Sequence, residues 1–216
     1  LVNYHSHTYR CKHAFGEVID FVRSASKAGL KVFGITDHTP FPDDRWLDVR
    51  MNFDELDSYI EAVIRAKINN PEINVLLGME CEFVEKYKYF LEDELLGERN
   101  FNYLIGAAHY TPHKGAWINS FSDLGCSSHL NSYTKYLCQM METNLFTFIA
   151  HPDIFGSSYF DWNEDLESCS RDILRTAEET KTPLEINGNG LRKKRKKSSS
   201  GARPPYPWLP FWELAT

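Results

Sequence analysis

The sequence predicts an α/β fold of parallel strands joined by crossover helices. Two patterns predict it: short apolar runs rich in β-formers alternate with longer stretches of helical spacing, and six such runs occur without any internal repeat. The third observation is where the polar residues fall. Each run carries His, Asp, Glu or Asn at its C-terminal end, and in a parallel α/β barrel those ends converge on one mouth.

The expected strands are 2–5, 32–36, 75–81, 103–108, 146–150 and 183–187. Between them, 17–28 places Val18, Phe21, Val22 and Ala25 on one helical face and stops at Gly29, the residue type that usually follows a helix end. A second helix starts with Asn52 as N-cap and Glu55 three residues on, burying Leu56, Tyr59, Ile60 and Val63. Further helices are expected over 85–96, 130–142, 164–180 and 211–215. The segment 192–205, a basic run followed by Ser, Gly and Pro, reads as a mobile loop. The last helix leads to no strand and the chain opens without Met, so the sequence is expected to be an excerpt that continues past Thr216.

With 216 residues and 42% hydrophobic content, one domain with one core is expected. No apolar stretch is long enough to span a bilayer, and residues 1–10 lack the layout of a signal peptide. The formal net charge of −6 gives no overall footprint for nucleic acid, although six of the 24 basic residues sit together at 192–197. The five cysteines are widely spaced and form no C-x-x-C pair, which points away from a disulfide framework or zinc knuckle and towards a reducing cytoplasm.

The strand-end residues are His5-Ser6-His7, Asp37-His38, Glu80 and Glu82, His109, His151 and Asn187. Taken singly, each histidine reads as a hydrogen-bonded core residue. Together they read as a metal cluster, because imidazole and carboxylate suit zinc, iron or manganese and His-x-His puts two rings on one face of an extended strand. Glu80 lies between Met79 and Cys81, where a buried carboxylate needs a cation or strong donors. His113 and His129 read as surface residues, Cys11 and Cys81 as structural, and Asp153 as a capping residue or an outer-sphere partner of a ligand.

His5-Ser6-His7, His13, Thr36-Asp37-His38, Gly78-Met79-Glu80, His109 and Ala150-His151-Pro152 resemble, in order and strand context, the motifs of the polymerase-and-histidinol-phosphatase (PHP) superfamily. The stretch 185–192 with Tyr206-Pro207-Trp208 is similar to its histidinol-phosphate phosphatase branch. The resemblance implies a distorted (β/α)7 barrel holding two or three divalent ions. By motif, His5 and His7 hold one ion, Glu80 bridges it to a second held by His109 and His151, and His13 with His38 hold a third. The family closes its site with an Asp-x-His on a seventh strand, which this sequence lacks, and the expected continuation would supply it.

The carboxylates given the catalytic role are Glu80 and Asp37. Arg192 is the first choice for contact with phosphate, with Lys193 and Arg10 behind it, since guanidinium geometry matches phosphate. The implied activity is hydrolysis of L-histidinol phosphate by a cytoplasmic phosphomonoesterase. The alternatives are a nuclease or nucleotide phosphodiesterase using the run 192–197, and a catalytically silent module short of metal.

Overall fold

A computed structural model describes residues 1–197 and 206–216, apart from the side chains of 193–197. The chain divides into two compact units, Leu1–Ile105 and Gly106–Thr216.

In the first unit, β1 (Val2–Asn3), β2 (Val32–Ile35), β3 (Asn74–Cys81) and β4 (Tyr103–Gly106) are neighbours in that order. The first two pairings are parallel, with Val2 opposite Val32 and Gly34 opposite Leu76. Helix α1 (Val18–Lys27) buries Val18, Val22 and Ala25 and ends at Gly29, which takes φ 80° and donates to Ser26 O. Asn52 and Glu55 form the expected capping box, the Glu55 side chain accepting from Asn52 N at 2.8 Å, and α2 (Leu56–Asn69) follows one short 3₁₀ turn later. Tyr59 on α2 donates to both Ile35 O (2.9 Å) and Gly78 O (2.7 Å), so one phenol ties the helix to β2 and β3. The expected helix 85–96 is instead a 3₁₀ turn, Glu85–Tyr87, and a π-helical stretch, Phe90–Glu98, whose last turn closes with Arg99 N on Glu94 O.

Two glycines in this sheet are required by one side chain. Tyr103 lies across Gly34 and Gly78, where an added Cβ would collide with its ring, and its hydroxyl donates to Tyr4 O at 2.5 Å. The phenol thereby packs β2 and β3 beneath the end of β1.

The second unit opens with a hairpin that the sequence reading did not contain, β5 (Tyr110–His113) and β6 (Ala116–Asn119), turning at Lys114 and Gly115 with φ 48° and 84°. Positive φ at both turn residues suits the right-handed twist of a hairpin; a Lys at the first position and Pro112 in the strand obscure that signal. Helix α3 (Ser127–Glu142) packs on α4 (Glu164–Thr180), whose N-cap Asn163 accepts from Leu166 N. Strand β7 (Phe148–Ile149) receives Glu185 N on Ile149 O, and Ala150 N donates to Gly106 O. The sixth expected strand shrinks to one parallel bridge, Ile149 with Leu184, because Asn187 is already committed to starting a helix. Its Oδ1 accepts from Asn189 N (2.9 Å) and Gly190 N (3.2 Å), opening α5 (Gly188–Lys197).

That helix corrects the reading of 192–205 as a loop. Residues 192–197 are helical, since Asn187 satisfies the first amides and basic residues near a helix C-terminus complement its dipole. Residues 198–205 lie outside those described. The final helix α6 (Leu209–Leu214) starts two residues earlier than expected, with Pro210 in its first turn. Among the described residues all five cysteines are free, and no helix is long and apolar enough to cross a membrane.

Candidate metal centre

The first unit gathers four imidazoles around one carboxylate. Glu80, 1% exposed, lies at the end of β3, where its N donates to Asp37 O and its O accepts from Thr39 N. His38 bridges to it in parallel fashion. From the end of β1 come His5 and His7, their Nε2 atoms 3.0 Å apart. The Glu80 carboxylate stands 3.2 Å from His5 Nε2, 3.3 Å from His7 Nε2 and 3.0 Å from His38 Nε2. His13 completes the ring set, 5.1 Å by centroid from both His7 and His38.

These contacts fit a cation. A carbonyl can only accept, so His38, with Nδ1 2.7 Å from Val49 O, keeps a proton there, and as a neutral ring it turns the lone pair of Nε2 towards Glu80. A lone pair facing a carboxylate oxygen at 3.0 Å is repulsive unless a positive charge sits with them. Burial, opposed by Glu80, pushes His7 well below its ordinary value near 6.5, which favours a neutral, ligating ring. Ligand atoms of His5, His7 and Glu80 lie within 4.8 Å of one another, as do those of His7, Cys11, His13 and His38. The set is nitrogen- and oxygen-rich, the chemistry of zinc, iron or manganese.

Behind the rings runs a buried polar layer. Asp37, fully buried, accepts from Thr8 N and Thr8 Oγ1, both at 2.6 Å, and from Cys11 Sγ at 3.0 Å. Burial pushes its carboxyl up against these hydrogen bonds, and burial with the Asp37 charge pushes the Cys11 thiol well up. Arg50, also fully buried, makes a two-pronged pair with Glu82 (3.0 and 3.1 Å) and donates to Thr39 O. It fixes the chain next to Val49, whose carbonyl orients His38.

In the second unit, His109 and His151 have ring centroids 5.0 Å apart. Phe121 stacks on His109 (5.9 Å, 17° between planes), and Ser120 N donates to His109 O, so the base of the hairpin carries the ring. His151 sits just past β7 with φ 33°, an uncommon backbone for a non-glycine residue, and its N donates to Glu185 Oε2 at 3.3 Å. Tyr206 lies 5.8 Å from His151. Asp153, two residues on, accepts from Trp208 N (2.5 Å) and Trp212 Nε1 (2.9 Å), fastening the segment from 206 onwards to the loop after β7; burial pushes its carboxyl up.

Of the residues the sequence singles out, His5, His7, His13, His38 and Glu80 therefore meet in the first unit, and His109 and His151 meet in the second. Asp37 faces Thr8 and Cys11 behind the rings. Arg10 is buried over Tyr9, with Nη1 3.5 Å from Glu17. Arg192 is exposed on α5 and donates to Asn189 Oδ1; Lys193 follows it in the helix, its side chain outside those described. His113 and His129, expected at the surface, pair edge to face 4.4 Å apart. The sequence reading took Cys11 as structural and missed Thr8, Val49 and Arg50, which support the rings with it. A Cys between two His-containing motifs is their only signal in the chain.

The sequence profile of the PHP domain matches residues 3–189. The chain belongs to the PHP family. The match spans both units. A relative in Schizosaccharomyces pombe, named "Probable histidinol-phosphatase", is 30% identical over 118 residues, covering 50% of this chain and 39% of that protein. A "Probable phosphatase" of Clostridium botulinum (strain Langeland) is 25% identical over 192 residues, 88% of this chain and 66% of the relative. The PHP chain thus spans less than two thirds of the length of these curated relatives. Among solved structures, one from Listeria monocytogenes named as a histidinol phosphatase superposes with a TM-score of 0.71 at 16% identity, over 88% of this chain and 84% of that one. Histidinol phosphate phosphatase from Lactococcus lactis, solved with zinc, L-histidinol and phosphate, gives 0.68 at 17% identity, over 86% and 72%. The fold is accordingly the expected one, a mixed α/β fold of the distorted (β/α) barrel class.

Proposed function

We propose that this PHP protein is a metal-dependent phosphomonoesterase whose substrate is L-histidinol phosphate, cleaved to L-histidinol and phosphate. The observation that carries the reading is the convergence of three imidazole Nε2 atoms, from His5, His7 and His38, on the buried Glu80 carboxylate. The names of the relatives support the phosphatase chemistry, and the histidinol-bound structure supports the substrate. The ligands assigned are His5, His7, His13, His38 and Glu80 in the first unit and the pair His109 and His151 in the second.

Divalent ions held there would lower the pKa of a water into the neutral range and neutralise charge on the phosphoryl oxygens. The chain's own part is positioning. Glu80 supplies the negative charge that retains the ions, and the hydrogen bond from His38 Nδ1 to Val49 O keeps its Nε2 available. Asp37 acts from behind the rings through Thr8 and Cys11, which makes it a positioning residue. Arg192 is assigned to the phosphate. Its trimming to Met should raise KM for the ester about tenfold, one charge-assisted contact's worth, and unchanged saturation kinetics would remove that role.

The test is hydrolysis of histidinol phosphate by the full-length protein with manganese or zinc supplied, and Glu80→Gln as control. Turnover that the variant abolishes supports the reading. Bound metal without turnover redirects the search to other phosphate esters.

A further inference from the structure

We infer that Cys11 is a positioning residue, a neutral thiol that fixes the tautomer of His7 from outside the metal's own ligand set. The inference rests on the metal reading above and adds to it a ligand set without sulfur.

Cys11 is fully buried and its sulfur makes three hydrogen bonds. Asp37 Oδ1, 3.0 Å away, already accepts from Thr8 N, while Oδ2 accepts from Thr8 Oγ1. Every group around Asp37 is thus a donor to it, so the hydrogen between Sγ and Oδ1 belongs to the thiol. The sulfur lone pairs then receive His38 N at 2.9 Å and His7 Nδ1 at 3.2 Å. This places the His7 proton on Nδ1. Its Nε2 is left with the lone pair, aimed at the space shared with His5 Nε2 and Glu80.

The rival arrangement is real on distance alone, because Cys11 Sγ lies close enough to His7, His13 and His38 to ligate an ion with them. Ligation would take the hydrogen off the sulfur and set a thiolate 3.0 Å from the Asp37 carboxylate, with both groups fully buried. A relay running from His7 through Cys11 to Asp37 avoids that cost. The ions are then met by nitrogen and oxygen alone, which favours manganese, iron or zinc over ions that seek thiolate.

Two measurements on the full-length protein decide it. In the metal-free protein, long-range proton–nitrogen correlation spectra should show His7 protonated on Nδ1, retained in Cys11→Ser and lost to a tautomer mixture in Cys11→Ala. A His7 protonated on Nε2 in the parent, or unchanged in Cys11→Ala, overturns the inference. With cobalt(II) as the probe, the parent should give d–d bands without a sulfur-to-cobalt charge-transfer band, and Cys11→Ala should bind about 10–100-fold more weakly. A charge-transfer band that Cys11→Ser abolishes makes Cys11 a ligand and overturns the inference. Failure of the parent to bind cobalt at all sinks the metal reading instead, and the tautomer measurement still decides the role of Cys11. Should Cys11→Ala fail to fold, the parent and Cys11→Ser carry both comparisons.

Discussion

The two units hold their histidines by different means. In the first, two of the rings rest on named hydrogen bonds: His7 through Cys11 to the buried Asp37, and His38 on the Val49 carbonyl, next to Arg50 and its buried partner Glu82. In the second, His109 and His151 are held by apolar faces and by backbone, with Phe121 stacked on one ring and Tyr206 near the other. Hydrogen bonds fix which nitrogen carries the proton, whereas stacking fixes the plane of a ring. The contrast is between His7 and His38, whose tautomers are set by named hydrogen bonds, and His109, whose plane is set by Phe121.

The contrast breaks most sharply at Glu80. Glu80→Gln should lower turnover and metal occupancy by more than about 100-fold, the upper end for outer-sphere partners, because it removes the charge that the first unit is organised around. Mass spectrometry under native conditions, which counts ions per chain, would show equal occupancy if the carboxylate were incidental. His151→Ala should cost less, about 10–100-fold in turnover.

Stability separates the units next. Gly34→Ala forces Tyr103 out of its place across the sheet and should cost ~1–3 kcal/mol in urea unfolding. Asp153→Ala leaves Trp208 N without its acceptor and should cost ~1–3 kcal/mol by the same measurement, with a change in tryptophan fluorescence from Trp208 and Trp212. A loss of metal affinity in Asp153→Ala beyond that of Gly34→Ala would contradict its assignment as a fastening for the chain.

The smallest effect is in pH. His7 is held below its unfolded value near 6.5, so below that pH the unfolded chain binds a proton that the folded one refuses. Metal-free protein should accordingly lose stability as pH falls from about 6.5 towards the lower folded value, and His7→Gln should flatten that slope. Asp37 is shifted the other way: above pH 3.8 the folded chain holds a proton that the unfolded one has lost, so its contribution to stability falls as pH rises from 3.8 through its raised range. Thermal melts across both windows check the sign.

Much of this was legible in residue order. Strand-end histidines and Glu80 announced the cluster because period-two side chains and parallel strands leave few other places for them to go. The Asn52–Glu55 capping box and the stop at Gly29 were readable because caps are local. What stayed hidden depends on contacts distant in sequence. Arg50 meets Glu82 across 32 residues, and Asp153 meets Trp208 across 55, with nothing in either neighbourhood to pair them. The basic run misled because its composition suggested a loop, while the deciding cap, Asn187, lies five residues upstream.

The backbone at His151 carries a last consequence. At φ 33° a histidine occupies a conformation that glycine or asparagine adopts at less cost, a strain of order 1–3 kcal/mol. Selection for heat tolerance and selection for turnover should therefore pull this single position in opposite directions. A library ranked by melting temperature alone would drift towards glycine there, and one ranked by product formed would hold on to the imidazole.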